Sequence, residues 1–155
     1  MKLKDQIPIK QKIIIPKLLK SKINVMANCK LTDREVSIFN ACLKCVENHL
    51  IKDNIDLSKF FAINVLFSKD GGFSFYENNE DRNAFILYIA IYNMEKLRIC
   101  NADWLTAFSY VEELTHYFWN IQDENDVKYK VAEILQDIFP ALSIDIMKGL
   151  GIEWS

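Results

Sequence analysis

Behind Thr32, apolar residues recur at alternating threes and fours: Val36, Phe39, Leu43, Val46 and Leu50. That period lays one stripe along a cylinder and predicts an amphipathic helix over 33–51. Thr32-Asp33-Arg34-Glu35 marks its start as a capping box, in which the threonine oxygen accepts from an orphan amide while Glu35 reaches back. The period then changes. Residues 62–67 (AINVLF) and 73–76 (FSFY) flank Lys69-Asp70-Gly71-Gly72, a hairpin signal, because glycine supplies the positive φ of tight turns. Residues 84–92 (NAFILYIAI) read as a third strand, and three antiparallel strands make the simplest sheet.

The helical period returns over 104–121, with Asn101 or Asp103 as N-cap and an inner stripe of Trp104, Phe108, Val111, Leu114, Phe118 and Ile121. A further helix over 126–139 turns Val127, Val131, Ile134 and Ile138 inward and stops at Pro140. Residues 142–149 suggest a short closing helix ended by Gly149 and Gly151. Pro8 and Pro16 interrupt the start, so 1–28 reads as an extended arm ahead of a single domain at 29–155. The expected class is α+β, a small antiparallel sheet packed on helices.

Composition narrows this picture. At 155 residues, half hydrophobic and a quarter charged, the chain has the size and balance of one globular domain. Cys29, Cys42, Cys45 and Cys100 fall at no secreted-framework spacing, no signal peptide is evident, and a reducing cytoplasm is the expected compartment. Cys42 and Cys45 lie within the first helix, where a pair spaced Cys-x-x-Cys fills core; a zinc knuckle needs that pair in a turn. His49, near the same helix's end, is expected to cap carbonyls or face solvent. No apolar run reaches the roughly eighteen residues a bilayer span requires.

Net charge is −2, yet seven lysines against Asp5 give residues 1–22 about +6 and leave about −8 on the rest. Those lysines come without arginine or aromatic partners, which disfavours nucleic acid. A peptide or protein is the expected partner class, and oligomeric state is left open.

The candidate chemistry lies in Glu112–Asp137. Residues four apart on a helix stand one above the other, so Glu112 and His116 can converge outside the cylinder with Glu113 beside them. A divalent ion needs about three ligands drawn from His, Asp and Glu. A second helix could return Glu133 as the third. The competing assignment is a solvated face, with Glu133 paired to Lys130 or Lys128 and His116 bonded to a backbone carbonyl.

The order hairpin, strand, site helix, second helix, with EELTH at 112–116 and EILQDIF at 133–139, resembles the zincin metallopeptidases of the gluzincin, thermolysin-like branch. The resemblance covers about residues 60–140. It implies His116 and Glu133 as ligands, Glu113 as general base, and Asp137 as the carboxylate that orients a ligand histidine. Tyr117 or Tyr129 would steady an oxyanion. The family's first histidine is replaced by Glu112. Two carboxylates and a neutral imidazole cancel a divalent charge, so such an ion acidifies water less than one held by two imidazoles. The implied protein is a cytoplasmic metal binder with weak or lost hydrolase activity, a pseudoenzyme at the extreme. Zinc is the expected ion, and an oxygen-rich set also admits manganese or iron.

Two other classes compete. A metal-free interaction module would use the cleft or the aromatic residues around Tyr117 and Trp119. A ferritin-like di-iron bundle would use Glu113-x-x-His116, but a second Glu-x-x-His is missing because Gln136 follows Glu133.

Overall fold

The computed structural model describes residues 2–76, 87–143, 145 and 148. Its described strands and α-helices are β1 (Ile23–Ala27), α1 (Asp33–Lys52), β2 (Ile63–Ser68), β3 (Ile89–Asn93), α2 (Met94–Cys100), α3 (Asp103–Phe118) and α4 (Glu124–Leu135), with 3-10 turns at Lys17–Leu19 and Leu57–Lys59. The class is α+β, as the period changes predict. The capping box forms at α1: Thr32 Oγ1 accepts from the Glu35 amide at 3.1 Å, and Glu35 Oε1 accepts from the Thr32 amide at 3.2 Å.

The sheet differs from expectation in direction. Its order is β1-β2-β3 and both pairings are parallel, with Ile23 opposite Ile63 and Val65 opposite Ala90. Residues 69–72 make no hairpin. Asp70 Oδ1 accepts from the Gly72 amide, Ser68 Oγ donates to the Gly72 carbonyl, and Asn93 and Asn28 bind the loop from neighbouring strand ends. Gly71, at φ +86°, turns the chain across the sheet's end. Residues 73–76 therefore leave β2 and meet the N-terminus, where Leu3 bridges Phe75. Of the expected third strand, 84–86 lie outside the described residues, and pairing begins at Ile89.

Packing gives the physical reason. In β2, Val65 and Phe67 are buried on one face and Leu66 and Ser68 on the other. A strand covered on both sides reads as a continuous apolar run, which is the mark of a parallel sheet. Phe67 meets Phe39 of α1 edge-on at 5.0 Å and Tyr110 of α3 at 5.6 Å, so these rings knit sheet and helices together. Tyr92 adds a hydrogen bond of 2.7 Å from its hydroxyl to the Tyr110 carbonyl. Cys42 and Cys45 are buried among these groups as core residues.

The arm is ordered as far as it is described. Gln11 donates to the Leu31 carbonyl, Asn40 Oδ1 accepts from the Ile14 amide, and Glu47 accepts from the Leu18 amide, so residues 11–18 lie along α1. The last part of the expected arm is β1, an edge strand. The short helix α2 is an addition to the expected elements. Arg98 on it grips buried Glu35 with both carboxylate oxygens within 3.3 Å. The expected closing helix over 142–149 falls largely outside the described residues. Among the described residues no helix is long and apolar enough to cross a membrane.

Candidate metal centre

Helix α3 carries Glu112, Glu113 and His116 on the face opposite its buried stripe of Phe108, Val111, Leu114 and Phe118. It ends at Phe118, and Asn120 adopts a left-handed conformation (φ 52°) that reverses the chain. Asparagine tolerates that region better than most residues. The reversal brings the Ile121 carbonyl back over the helix end, where it meets His116 Nδ1 at 2.6 Å. A carbonyl only accepts, so Nδ1 carries a proton and Nε2 is the nitrogen left to meet other groups.

Asp123 then starts α4, its side chain accepting from the Asn125 and Asp126 amides, and Glu124 becomes the first helical residue. Its Oε2 stands 3.6 Å from His116 Nε2. Glu112, His116 and Glu124 each offer a ligand atom, and these atoms all lie within 4.8 Å of one another. Ligands at about 2.1 Å from a tetrahedral ion stand roughly 3.4 Å apart, so the histidine–glutamate pair is near ligating distance already.

Charge at this cluster is poorly balanced. Burial raises the pKa of Glu112, and Glu113 and Glu124 raise it further, against His116 and Lys128. Glu113 is also pushed up, chiefly by desolvation, although it sits at the exposed edge of the group. Both carboxylates would be relieved by a cation.

Beside the cluster lies a cavity of about 580 Å³, walled by Phe61, Tyr88 and Tyr117 and reached by Glu113 and His116. Tyr117 donates to the Phe61 carbonyl at 2.6 Å, so its hydroxyl is occupied holding this wall. Tyr129 is half exposed on α4 and does not line the cavity.

Glu133 and Asp137 lie elsewhere. Nine residues of helix separate Glu124 from Glu133, roughly 13 Å along the axis, so one ion cannot take both. Glu133 instead meets Lys130 at 3.1 Å and Lys52 at 3.7 Å. Asp137 accepts from His49 Nε2 at 3.1 Å, and His49 is buried between α1 and the end of α4, neither capping nor solvated. The arrangement thus brings Glu112 to His116, leaves Glu113 beside them outside the ligand group, and supplies Glu124 where Glu133 was expected. Glu124 was legible in principle. Asp123 followed by Glu-Asn-Asp is a strong helix start, and a start at 124 shortens the link enough to bring the first turn of α4 back to His116.

No family model matches the chain, and no curated protein or solved structure matches it either.

Proposed function

We propose that this chain is a divalent-metal-binding protein, with Glu112, His116 and Glu124 as ligands and with weak or no hydrolase activity. The observation that carries the reading is the Ile121 carbonyl on His116 Nδ1, which fixes the ring with Nε2 towards Glu124 while Glu112 completes the group within 4.8 Å. Ligand histidines are commonly oriented by just such an acceptor on the other nitrogen.

Zinc is the first expectation, with manganese or iron admitted by the two carboxylates. A bound ion would supply Lewis acidity, weakened because two carboxylates cancel its charge. Glu113, with its raised proton affinity at the cavity edge, is the group placed to accept and return a proton. In this it keeps the role that the zincin resemblance gives it. Phe61, 74 % exposed and stacked on Tyr88, favours the competing reading of a metal-free binding surface.

Metal analysis of protein purified without a histidine tag separates the two. Stoichiometric zinc, manganese or iron that disappears in His116→Ala and falls in Glu124→Ala supports the metal centre. In Glu112→His, zinc affinity is expected to rise on the order of tenfold, since imidazole is the stronger neutral ligand. Negligible metal in every sample, after equilibration with each ion, would leave the interaction module as the better reading.

A further inference from the structure

The cavity beside the candidate metal centre has an aromatic wall that no set of metal ligands requires. Phe60 and Phe61 follow the turn at Leu57–Lys59 in extended chain, Phe60 at φ −104° and ψ 138°, so successive rings diverge. Phe60 turns inward onto Tyr117 and Phe118, with ring centres 5.4 and 5.6 Å away. Phe61 is left outside, 74 % exposed. It is nevertheless held in place: its carbonyl accepts from the Tyr117 hydroxyl at 2.6 Å, and its ring lies 12° from parallel to Tyr88, centres 6.3 Å apart. Tyr88 meets Tyr117 in turn at 5.1 Å. Three rings thus make one continuous surface, fixed before any ligand arrives.

The fixed charge at this cavity is negative. Glu113 is the one carboxylate among the described residues that line it, and Glu112 and Glu124 are near enough to act on its surroundings. Lys59, on the margin, is exposed and shares its charge with Asp56, whose carboxyl is held below its ordinary range by Ser58 hydrogen bonds first and by Lys59 and Lys22 in part. His116 turns Nε2 to Glu124, and Asn120 and Gln122 bring only neutral carboxamides. Aromatic faces carry partial negative charge, so the wall and Glu113 attract the same thing, a cation. With the Tyr117 hydroxyl spent on the Phe61 carbonyl, the wall offers ring faces and few hydrogen-bond acceptors. A primary ammonium would lose water contacts there that the wall does not replace, whereas a methylated one has none to lose.

We propose that this cavity binds a small organic cation through a methylated ammonium group, with the faces of Phe61, Tyr88 and Tyr117 against the N-methyl groups and Glu113 as counter-ion. A volume of about 580 Å³ falls in the range of small-molecule sites. The binding needs no metal, and so goes beyond the metal centre and stands apart from it.

Choline is the probe, titrated into the full chain with EDTA present and followed by amide shifts in NMR. Saturable binding is expected, with shifts around residues 59–63, 88–89 and 113–122 and with the N-methyl signal moved upfield by the ring currents. It should be about tenfold tighter than for 3,3-dimethyl-1-butanol, which has the same shape without the charge, and about fivefold tighter than for ethanolamine. Phe61→Leu keeps apolar bulk at an exposed position and removes the ring, and should weaken choline about tenfold, while Phe61→Tyr should retain it. Glu113→Gln should weaken it about fivefold and blunt its dependence on salt. No saturation below about 10 mM, equal binding of the neutral alcohol, or indifference to Phe61→Leu would overturn the proposal. So would a trimethyllysine peptide that binds far more tightly than choline, which would assign the cavity to a protein tail. Choline binding by protein that takes up no metal would sink the metal centre alone; stoichiometric metal without choline binding would sink this inference alone.

Discussion

Two clusters of imidazole and carboxylates flank α4, and they are built from the same residue types to opposite effect. At its start, His116 meets Glu112 and Glu124; towards its end, His49 meets Glu133 and Asp137. The second cluster holds its own cations. Lys52 approaches Glu133, while Lys130 bonds Glu133 and Asp53 and lies 5.4 Å over the Trp119 ring. The first has no lysine in ion-pair contact with Glu112 or Glu113 among the described residues, and both carboxyls are pushed up in pKa. Ligand-like residues thus become a clamp where lysines bond them directly, and a candidate cation site where Lys128 offsets burial only in part.

Exchanging the histidines should separate the two most sharply. His116→Ala is expected to lower metal affinity at least a hundredfold with little change in stability, as titration with a zinc indicator would register. His49→Ala should leave metal binding intact and cost about 2–3 kcal/mol in urea unfolding, because it removes a buried ring between α1 and the end of α4, while exposed Asp137 turns to water. If His49→Ala abolished metal binding instead, the assignment of the two clusters would be reversed.

A smaller effect is expected at Lys130. Its ammonium is mostly covered while its partners are partly exposed, so Lys130→Met should destabilise by about 1–2 kcal/mol, between surface and buried ion pairs.

The clusters should also respond to pH in opposite senses. The Lys130 hydrogen bond, with that of Trp119, holds the Asp53 carboxyl below its ordinary range. Its contribution is present above the unfolded pKa and lost as pH falls through the folded one. The folded pKa of Glu112 is raised, so its contribution is full below the ordinary glutamate range and is lost as pH rises through the folded value. Urea midpoints of metal-free protein across pH 3–8 should therefore show Glu112→Gln flattening the decline on the higher-pH limb of this range. Lys130→Met should flatten the acid limb. An unaltered higher-pH limb in Glu112→Gln would remove the electrostatic case for a cation at that site.

The smallest effect is the most discriminating. Glu133→Ala should leave zinc affinity within about twofold, since it lies well beyond the distance at which sites couple. A large loss there would restore Glu133 as a ligand against the geometry.

Much of this was readable along the chain. The stripe behind Thr32 and the inner face of 104–118 fixed α1 and α3, because long helices write their packing as a period. Glu112, Glu113 and His116 were legible for the same reason, being three positions on one helix. Strand direction was not. Lys69–Gly72 has hairpin composition, yet its Asp70 and Gly72 carbonyls accept from the side chains of Asn93 and Asn28, which are distant in sequence. The unbroken apolar character of 62–67 was the available clue to a parallel sheet. Glu133 follows from the family resemblance at EILQD, whereas the position of Glu124 is decided by the turn at Asn120, a single left-handed residue.

Parallel pairing also dictates when the sheet can form. Ile23 meets Ile63 and Asn64 meets Ile89, so neither ladder can close locally and each must wait for a long intervening segment. On the ribosome β1 emerges first and stays without its sheet neighbour until β2 has cleared the exit tunnel. In that interval the nascent lysine-rich segment and a naked strand are exposed together, a window in which chaperone capture, or premature association with another chain, competes with folding.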